Sequence, residues 1–392
     1  MEDVVILSGA RTPIGAFMGT LSSLSSPQLG ATAIKEALKR GAVAPEEVDE
    51  VLMGCVLQGG VGQAPARQAA IYGGLPNSVP CTTVNKVCGS GMKTVMQAAQ
   101  AIKSGDGKII VAGGMESMSN APYALDKART GYRMGNGTLI DLMIHDGLWD
   151  PYGNVHMGTC GDCTATEFNL SREAIDAYAG ESYRRATAAQ ESCRLSEEIV
   201  PVPVPQRKGD PVMVDKDEEP GKGDPAKLGS LRPAFGKEGT TTAGNASSIN
   251  DGGCALVVTT MAEAEKRGAR PLGRIVGYSQ HAQEPQWFTT APAFAIEKLL
   301  AKHDMTVDQI DLFEVNEAFA VVAMVVADKV KIPMEKLNVN GGAVALGHPI
   351  GMTGARLILT ALYELRRRGG KYAVCTPCIG GGEATAVLVE AL

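Results

Sequence analysis

Aromatic residues are scarce in this 392-residue chain, 5% with only two tryptophans, so the core must be built from small and aliphatic side chains, as close-packed α/β layers require. A basic excess is missing too: the formal net charge is −6, which gives no electrostatic footprint for nucleic acid. Long hydrophobic runs are absent. The stretch Ala318 to Ala327 is too short to span a bilayer and is closed by Asp328 and Lys329. The opening residues Met1-Glu-Asp-Val-Val-Ile-Leu7 lack a basic region followed by a long apolar run, so no secretory signal is expected. Nine cysteines, an odd number, argue against a disulfide framework and for reduced thiols in a cytoplasmic setting. No membrane partner is expected.

What is present is glycine, 47 residues of it, and length enough for two or three domains. The run Asn340-Gly-Gly-Ala-Val-Ala-Leu-Gly-His-Pro-Ile-Gly-Met-Thr-Gly354 places one of only five histidines, His348, on a loop shaped by glycines. Lys336 to Asn340 before it reads as a short strand, and Ala355 to Leu365 after it as a helix. A histidine at a strand-to-helix turn sits where α/β folds keep their chemistry, although a glycine-rich packing loop accounts for the same residues.

The chain repeats itself. Ala33 to Asp49 aligns without a gap to Ala295 to Asp311, each a helix, a polar turn and a strand. Thr83-Val-Asn-Lys-Val-Cys88-Gly-Ser-Gly-Met92 leads into a helix with apolar Met92, Val95, Met96, Ala99 and Ile102, then into the strand Lys108 to Gly114. Val339 to Met352 leads likewise into a helix and the strand beginning at Lys371. A duplicated α/β unit follows, with Cys88 and His348 at equivalent turns. Between the halves, Arg172 to Gln190 reads as a helix, and Val200 to Pro233 as surface loops. The expected division is residues 1–118 with 250–268 as one core half, 119–249 as an inserted loop domain, and 269–392 as the other half.

Cys88 stands before a helix beside Gly89 and Gly91, where free amides and the helix dipole stabilise a thiolate; a small buried hydrophobe is the plain alternative. The pairs Cys375/Cys378 and Cys160/Cys163 have metal or redox spacing, but their flanks resemble no zinc knuckle or thioredoxin motif, and no metal is expected. Cys378 precedes Gly380-Gly-Gly382, whose exposed amides can hold an oxyanion. Asn316 ends a strand, as a pocket residue or as a helix cap.

Cys88-Gly-Ser-Gly, Asn316-Glu-Ala-Phe, Gly347-His-Pro-Ile-Gly and Cys378-Ile-Gly-Gly-Gly, in this order, resemble the thiolase family along the whole chain. His156-Met-Gly and Thr242-Ala-Gly-Asn-Ala-Ser247 resemble its biosynthetic, acetyl-CoA-condensing type. The resemblance implies a five-layered α/β/α/β/α core of two repeated halves, an inserted loop domain that binds coenzyme A, and a homotetramer. It implies reversible Claisen condensation of two acetyl-CoA to acetoacetyl-CoA and coenzyme A, with no cofactor beyond these substrates. Cys88 would be the acylated nucleophile, His348 its base and a donor to the thioester oxygen, and Cys378 the acid/base at the α-carbon. Asn316 would hold a water at one oxyanion site, with the amides of Cys88 and Gly380 forming the other. Ser247, His156, Met157 and Phe319 would line the pantetheine and acyl pocket. Lys222 and Lys227 are candidates for the phosphates of coenzyme A. Met352-Thr353, the run after Thr159 and the run Glu218 to Gly229 depart from the family pattern. A degradative 3-ketoacyl-CoA thiolase, a carrier-protein ketoacyl synthase and a non-catalytic acyl-CoA binder are the alternatives. A synthase would replace Cys378 with histidine or asparagine, and a binder would have lost Cys88 or His348.

Overall fold

The computed structural model describes residues 2–392. In the first half, strands β1 (Val4–Arg11), β2 (Glu50–Gly54), β3 (Cys81–Val84), β4 (Ile109–Ser117) and β5 (Asn250–Thr260) lie in the order β1-β5-β4-β2-β3. Helices α1 (Ser26–Arg40) and α2 (Pro65–Tyr72) cover one face, and α3 (Ser90–Ser104) the other. The two-residue period of a strand divides the side chains between them. Ile110, Ala112, Leu256 and Val258 join the cluster of α3, while Ile109, Val111, Ala255 and Val257 join that of α1 and α2. This double-sided burial explains why β4 and β5 read as continuous apolar runs rather than alternating ones.

Residues 119–249 contribute three small two-stranded ribbons and the helices α4 (Met157–Glu167) and α5 (Arg172–Glu191). They are tied to β1 by buried charge. The Arg11 guanidinium, fully buried, meets Glu198 at 2.6 Å and Asp217 at 2.6 and 2.8 Å.

The second half repeats the first. Strands β6 (Gly273–Ala282), β7 (Leu312–Val315), β8 (Tyr372–Thr376) and β9 (Glu383–Ala391) lie in the order β6-β9-β8-β7, with helices α6 (Ala291–Lys302), α7 (Ala320–Val330) and α8 (Thr353–Arg368). Strand directions repeat as well: the first two pairings of each half are antiparallel and the next parallel. Both first strands even carry a register shift, at Ile6/Ser8 and at Ile275/Gly277. The halves join edge to edge through Val5–Arg274 and Ile6–Gly273, and α3 packs against α8 between them. The result is the five-layered α/β/α/β/α arrangement.

One expected strand is not formed. Lys336 to Asn340 makes only a single bridge, Leu337 with Phe313, because Asn338 turns left-handed at φ 44°. Its side chain takes over the pairing, accepting from the Val315 amide at 2.9 Å and donating to the Val315 carbonyl at 2.8 Å.

The starts of α3 and α8 meet at glycines. A Cβ on Gly354 would stand 2.5 Å from the Met92 nitrogen, and one on Gly91 2.8 Å from the Gly351 carbonyl oxygen. Glycine to alanine inside a helix ordinarily stabilises by about 1 kcal/mol. Gly354→Ala is expected to do the reverse here, destabilising by roughly 1–3 kcal/mol through overpacking and lowering activity by parting the two helix starts. Denaturant melts read the sign: a stabilised variant would mean the helices have room.

Candidate active site

Segments from both halves and from the residues between them meet in one cavity of about 200 Å³, whose walls are mostly apolar. Cys88, His348, Gly380, Ser247, His156, Met157 and Phe319 all line it. Asn316 reaches it through His348.

Cys88 is presented by a tight elbow. Val87, a β-branched residue, is held at φ 45°, a conformation that persists only where the surroundings over-determine it. Asn85 Oδ1 accepts from the Val87 amide at 3.0 Å, and Ser90 Oγ accepts from the Lys86 amide at 2.8 Å while donating to the Val87 carbonyl at 2.7 Å. Lys86 also pairs with Glu383, linking the elbow to the segment that carries Gly380.

His348 is buried and held at three points. Its amide donates to Asn250 Oδ1 at 2.8 Å, Nδ1 lies 2.7 Å from Thr353 Oγ1, and Nε2 lies 3.3 Å from Asn316 Nδ2. Burial, with Arg356 nearby, lowers its pKa to about 3, so the ring is a neutral base at physiological pH. Asn316 is fixed by its amide, which donates to the Thr376 carbonyl at 3.0 Å, and its Oδ1 is buried with no protein partner. It is not a helix cap, since α7 begins only after Phe319.

Cys378 sits on the short strand Cys378–Ile379 paired with β9. Burial pushes its thiol well above the usual 9, and the neighbouring Cys88 adds to the rise. Cys88 is likewise pushed up, to about 11, by burial, against the opposing pull of the Gly380 amide and its own amide. Here the structure corrects the expectation of a stabilised thiolate: desolvation outweighs the helix start and the amides. Cys88 rests as a thiol in the same cavity as the neutral His348 imidazole.

Aromatic rings form part of the cavity wall. His156 caps α4, its Nδ1 accepting from the Gly158 amide at 3.1 Å, and stacks on Phe235 with centroids 4.5 Å apart. Phe235 and Phe288 both stand edge-on to Phe319, at 6.3 and 6.4 Å. Phe235 and Phe288 escaped sequence reading. Scarcity was the available signal, since three of only seven phenylalanines line this one cavity.

Two buried glutamates also escaped it. Glu116 accepts from the amides of Val56, Leu57 and Gly351 at 2.9–3.1 Å, so it binds the His348 loop to the first half; burial raises its pKa to about 7. Glu317, beside Asn316, accepts from Tyr178, Ser182, Asn338 and the Val344 amide. Lys222 and Lys227 are not brought to the cavity; each pairs with a nearby carboxylate, Glu218 at 3.1 Å and Asp224 at 3.2 Å. All nine cysteines are free thiols, and among the described residues no three His, Cys, Asp or Glu side chains gather as metal ligands.

Two family models match the chain: the thiolase N-terminal domain over residues 4–262 and the thiolase C-terminal domain over residues 269–391. Acetyl-CoA acetyltransferase 2 of Arabidopsis thaliana is 53% identical over 393 residues, covering 100% of this chain and 98% of that protein. Acetyl-CoA acetyltransferase of Cupriavidus necator is 49% identical with 100% of both chains covered, and that of Pseudomonas aeruginosa 46% identical with 99% of both.

The raised Cys88 pKa has a direct consequence. Carbamidomethylation of Cys88 by iodoacetamide, followed by peptide mapping, should quicken about tenfold per pH unit from about pH 6 to 9, tracking the thiolate fraction. A rate flat across that range would mean a preformed thiolate–imidazolium pair.

Proposed function

The chain belongs to the thiolase family, and we propose that it interconverts two acetyl-CoA with acetoacetyl-CoA and free coenzyme A by Claisen condensation through an acetyl-cysteine. The observation that carries this reading is one small apolar cavity lined by the Cys88 thiol and the neutral His348 imidazole, with the buried Cys378 thiol behind it as a neighbour of Cys88.

In the first step His348 Nε2 takes the Cys88 proton as sulfur attacks the acetyl carbonyl. The amides of Cys88 and Gly380 receive the oxyanion, and the departing coenzyme A sulfur takes the proton back from His348. In the second step Cys378 passes its thiol proton to His348 Nε2 and, as the thiolate, removes a proton from the methyl carbon of a second acetyl-CoA. A thiol whose pKa lies well above 9 makes a correspondingly strong base once ionised, which suits a weak carbon acid. The hydrogen now on His348 Nε2 and a water on the unpartnered Asn316 Oδ1 donate to the enolate oxygen; the carbanion attacks the acetyl-Cys88 carbonyl, collapse releases acetoacetyl-CoA, and the Cys88 thiolate takes its proton from His348 Nε2. Ser247, whose amide donates to the Ala318 carbonyl at 3.0 Å, and Met157 border the pantetheine arm, with residues 119–249 as the coenzyme A-binding insertion.

A homotetramer is part of this proposal. Tyr123, Leu125, Met134 and Leu139 form or flank one ribbon and are exposed, Met134 at 98%, and an exposed apolar cluster of this kind suits an interface between copies. A cytoplasmic site is proposed from nine unpaired thiols; no described helix is long and apolar enough to cross a membrane.

Cys378→Ala should still form acetyl-Cys88 while condensation and thiolysis fall by about 10²–10⁴ or more, since a proton transfer loses its catalyst. Near-parent condensation would assign that proton to another group. The wall of Phe235, Phe288, Phe319 and His156 sets the second expectation. The specificity constant for thiolysis should fall about 10- to 100-fold from four-carbon to long 3-ketoacyl-CoA, from overpacking of roughly 1–3 kcal/mol. A constant flat or rising with chain length would favour a degradative role.

A further inference from the structure

His348 can serve as the base for Cys88 only in one of its two neutral forms, the one with its proton on Nδ1 and a lone pair on Nε2. We propose that Thr353 is a positioning residue that selects this tautomer, a reading that rests on the assignment of His348 as the base.

The hydrogen-bond directions run one way. Asn316 Nδ2 carries only protons, and it faces Nε2 at 3.3 Å, so Nε2 is the acceptor there. Nδ1 therefore bears the hydrogen and donates to Thr353 Oγ1 at 2.7 Å. The threonine hydroxyl has one proton of its own, and it goes on to the Pro349 carbonyl at 2.9 Å. The reverse tautomer would set the Nε2 hydrogen against the Asn316 amide hydrogens and turn the hydroxyl away from Pro349. Both Thr353 and His348 are buried, so no bulk water competes for Nδ1.

Threonine suits this task. Its branched Cβ restricts χ1, which holds the hydroxyl where the ring needs it. Thr353 is also the first residue of α8 and lies four residues after Pro349, so the carbonyl it engages belongs to the same turn that carries the histidine. Loop, ring and helix start form one unit, and Met352-Thr353, the pair that departs from the family pattern, completes the relay rather than breaking it.

Thr353→Val keeps the shape and removes the acceptor. The rate of acetyl transfer from acetyl-CoA to Cys88, read as the burst of coenzyme A, should fall by about 100-fold, within the range for loss of a general base. KM should change little, and Thr353→Ser should restore most of the rate. Imidazole ¹⁵N spectra of histidine-labelled protein give a readout that packing alone would not move: His348 carries its hydrogen on Nδ1 in the parent and the serine variant, and on Nε2 in the valine variant. His348→Ala separates the two readings. If it transfers acetyl groups at the parent rate, the assignment of the base falls. If it is inactive while Thr353→Val keeps both the parent rate and the Nδ1 hydrogen, only the role of Thr353 falls. A slow Thr353→Val enzyme with the hydrogen still on Nδ1 would also overturn it.

Discussion

The close approach of two helix starts at the centre of the molecule is the constraint on which the rest depends. Helices α3 and α8 are equivalent elements of the two halves, each begins just after a chemically competent residue, and they touch where neither can carry a side chain, at Gly91 and Gly354. Van der Waals contact between backbones leaves no slack. The Cys88 elbow and the His348 loop are thereby brought to the same cavity by the packing of the core, and Glu116 adds a polar tie by gripping Gly351 from the end of β4.

Burial then sets the protonation states. Desolvation penalises whichever form is charged, so it raises thiols and lowers imidazoles, and here it acts on all three groups in the direction of neutrality. With no charge at rest on Cys88, His348 or Cys378, the free amides beside Cys88 would under the proposed function meet charge only as it forms. Charges that must stay ionised are kept elsewhere and paired, as Arg11 is with Glu198 and Asp217. That pairing also fastens residues 198–217 to β1, so the lobe that supplies part of the cavity wall is anchored to the core by buried electrostatics as well as by packing.

The cavity itself is a composite. Its reacting end belongs to the duplicated core, whereas His156, Met157, Phe235 and Ser247 come from residues between the halves. Under the proposed function, chemistry and substrate fit would rest on different parts of the chain. Replacing Phe235 would change what enters without touching the thiols, and the stacking of His156 on Phe235 means neither side chain moves alone.

Much of this was legible in the residues. The repeat of Ala33–Asp49 in Ala295–Asp311, the helical spacing after Cys88 and the glycine run around His348 determine local structure, because periodicity and backbone freedom are properties of neighbours in sequence. The motifs around Cys88, Asn316, His348 and Cys378 pointed to the family for the same reason. What the chain alone could not decide lay between distant segments. The thiol and imidazole pKa values depend on how much protein surrounds them, and that reversed the expected thiolate at Cys88. Asn338 replaced a strand with a left-handed turn because its side chain could reach the edge of β7. Phe235 and Phe288, Glu116, and the partner of each ring nitrogen of His348 became visible only once the chain was packed, since a contact made by tertiary packing leaves no periodic trace in the sequence that makes it.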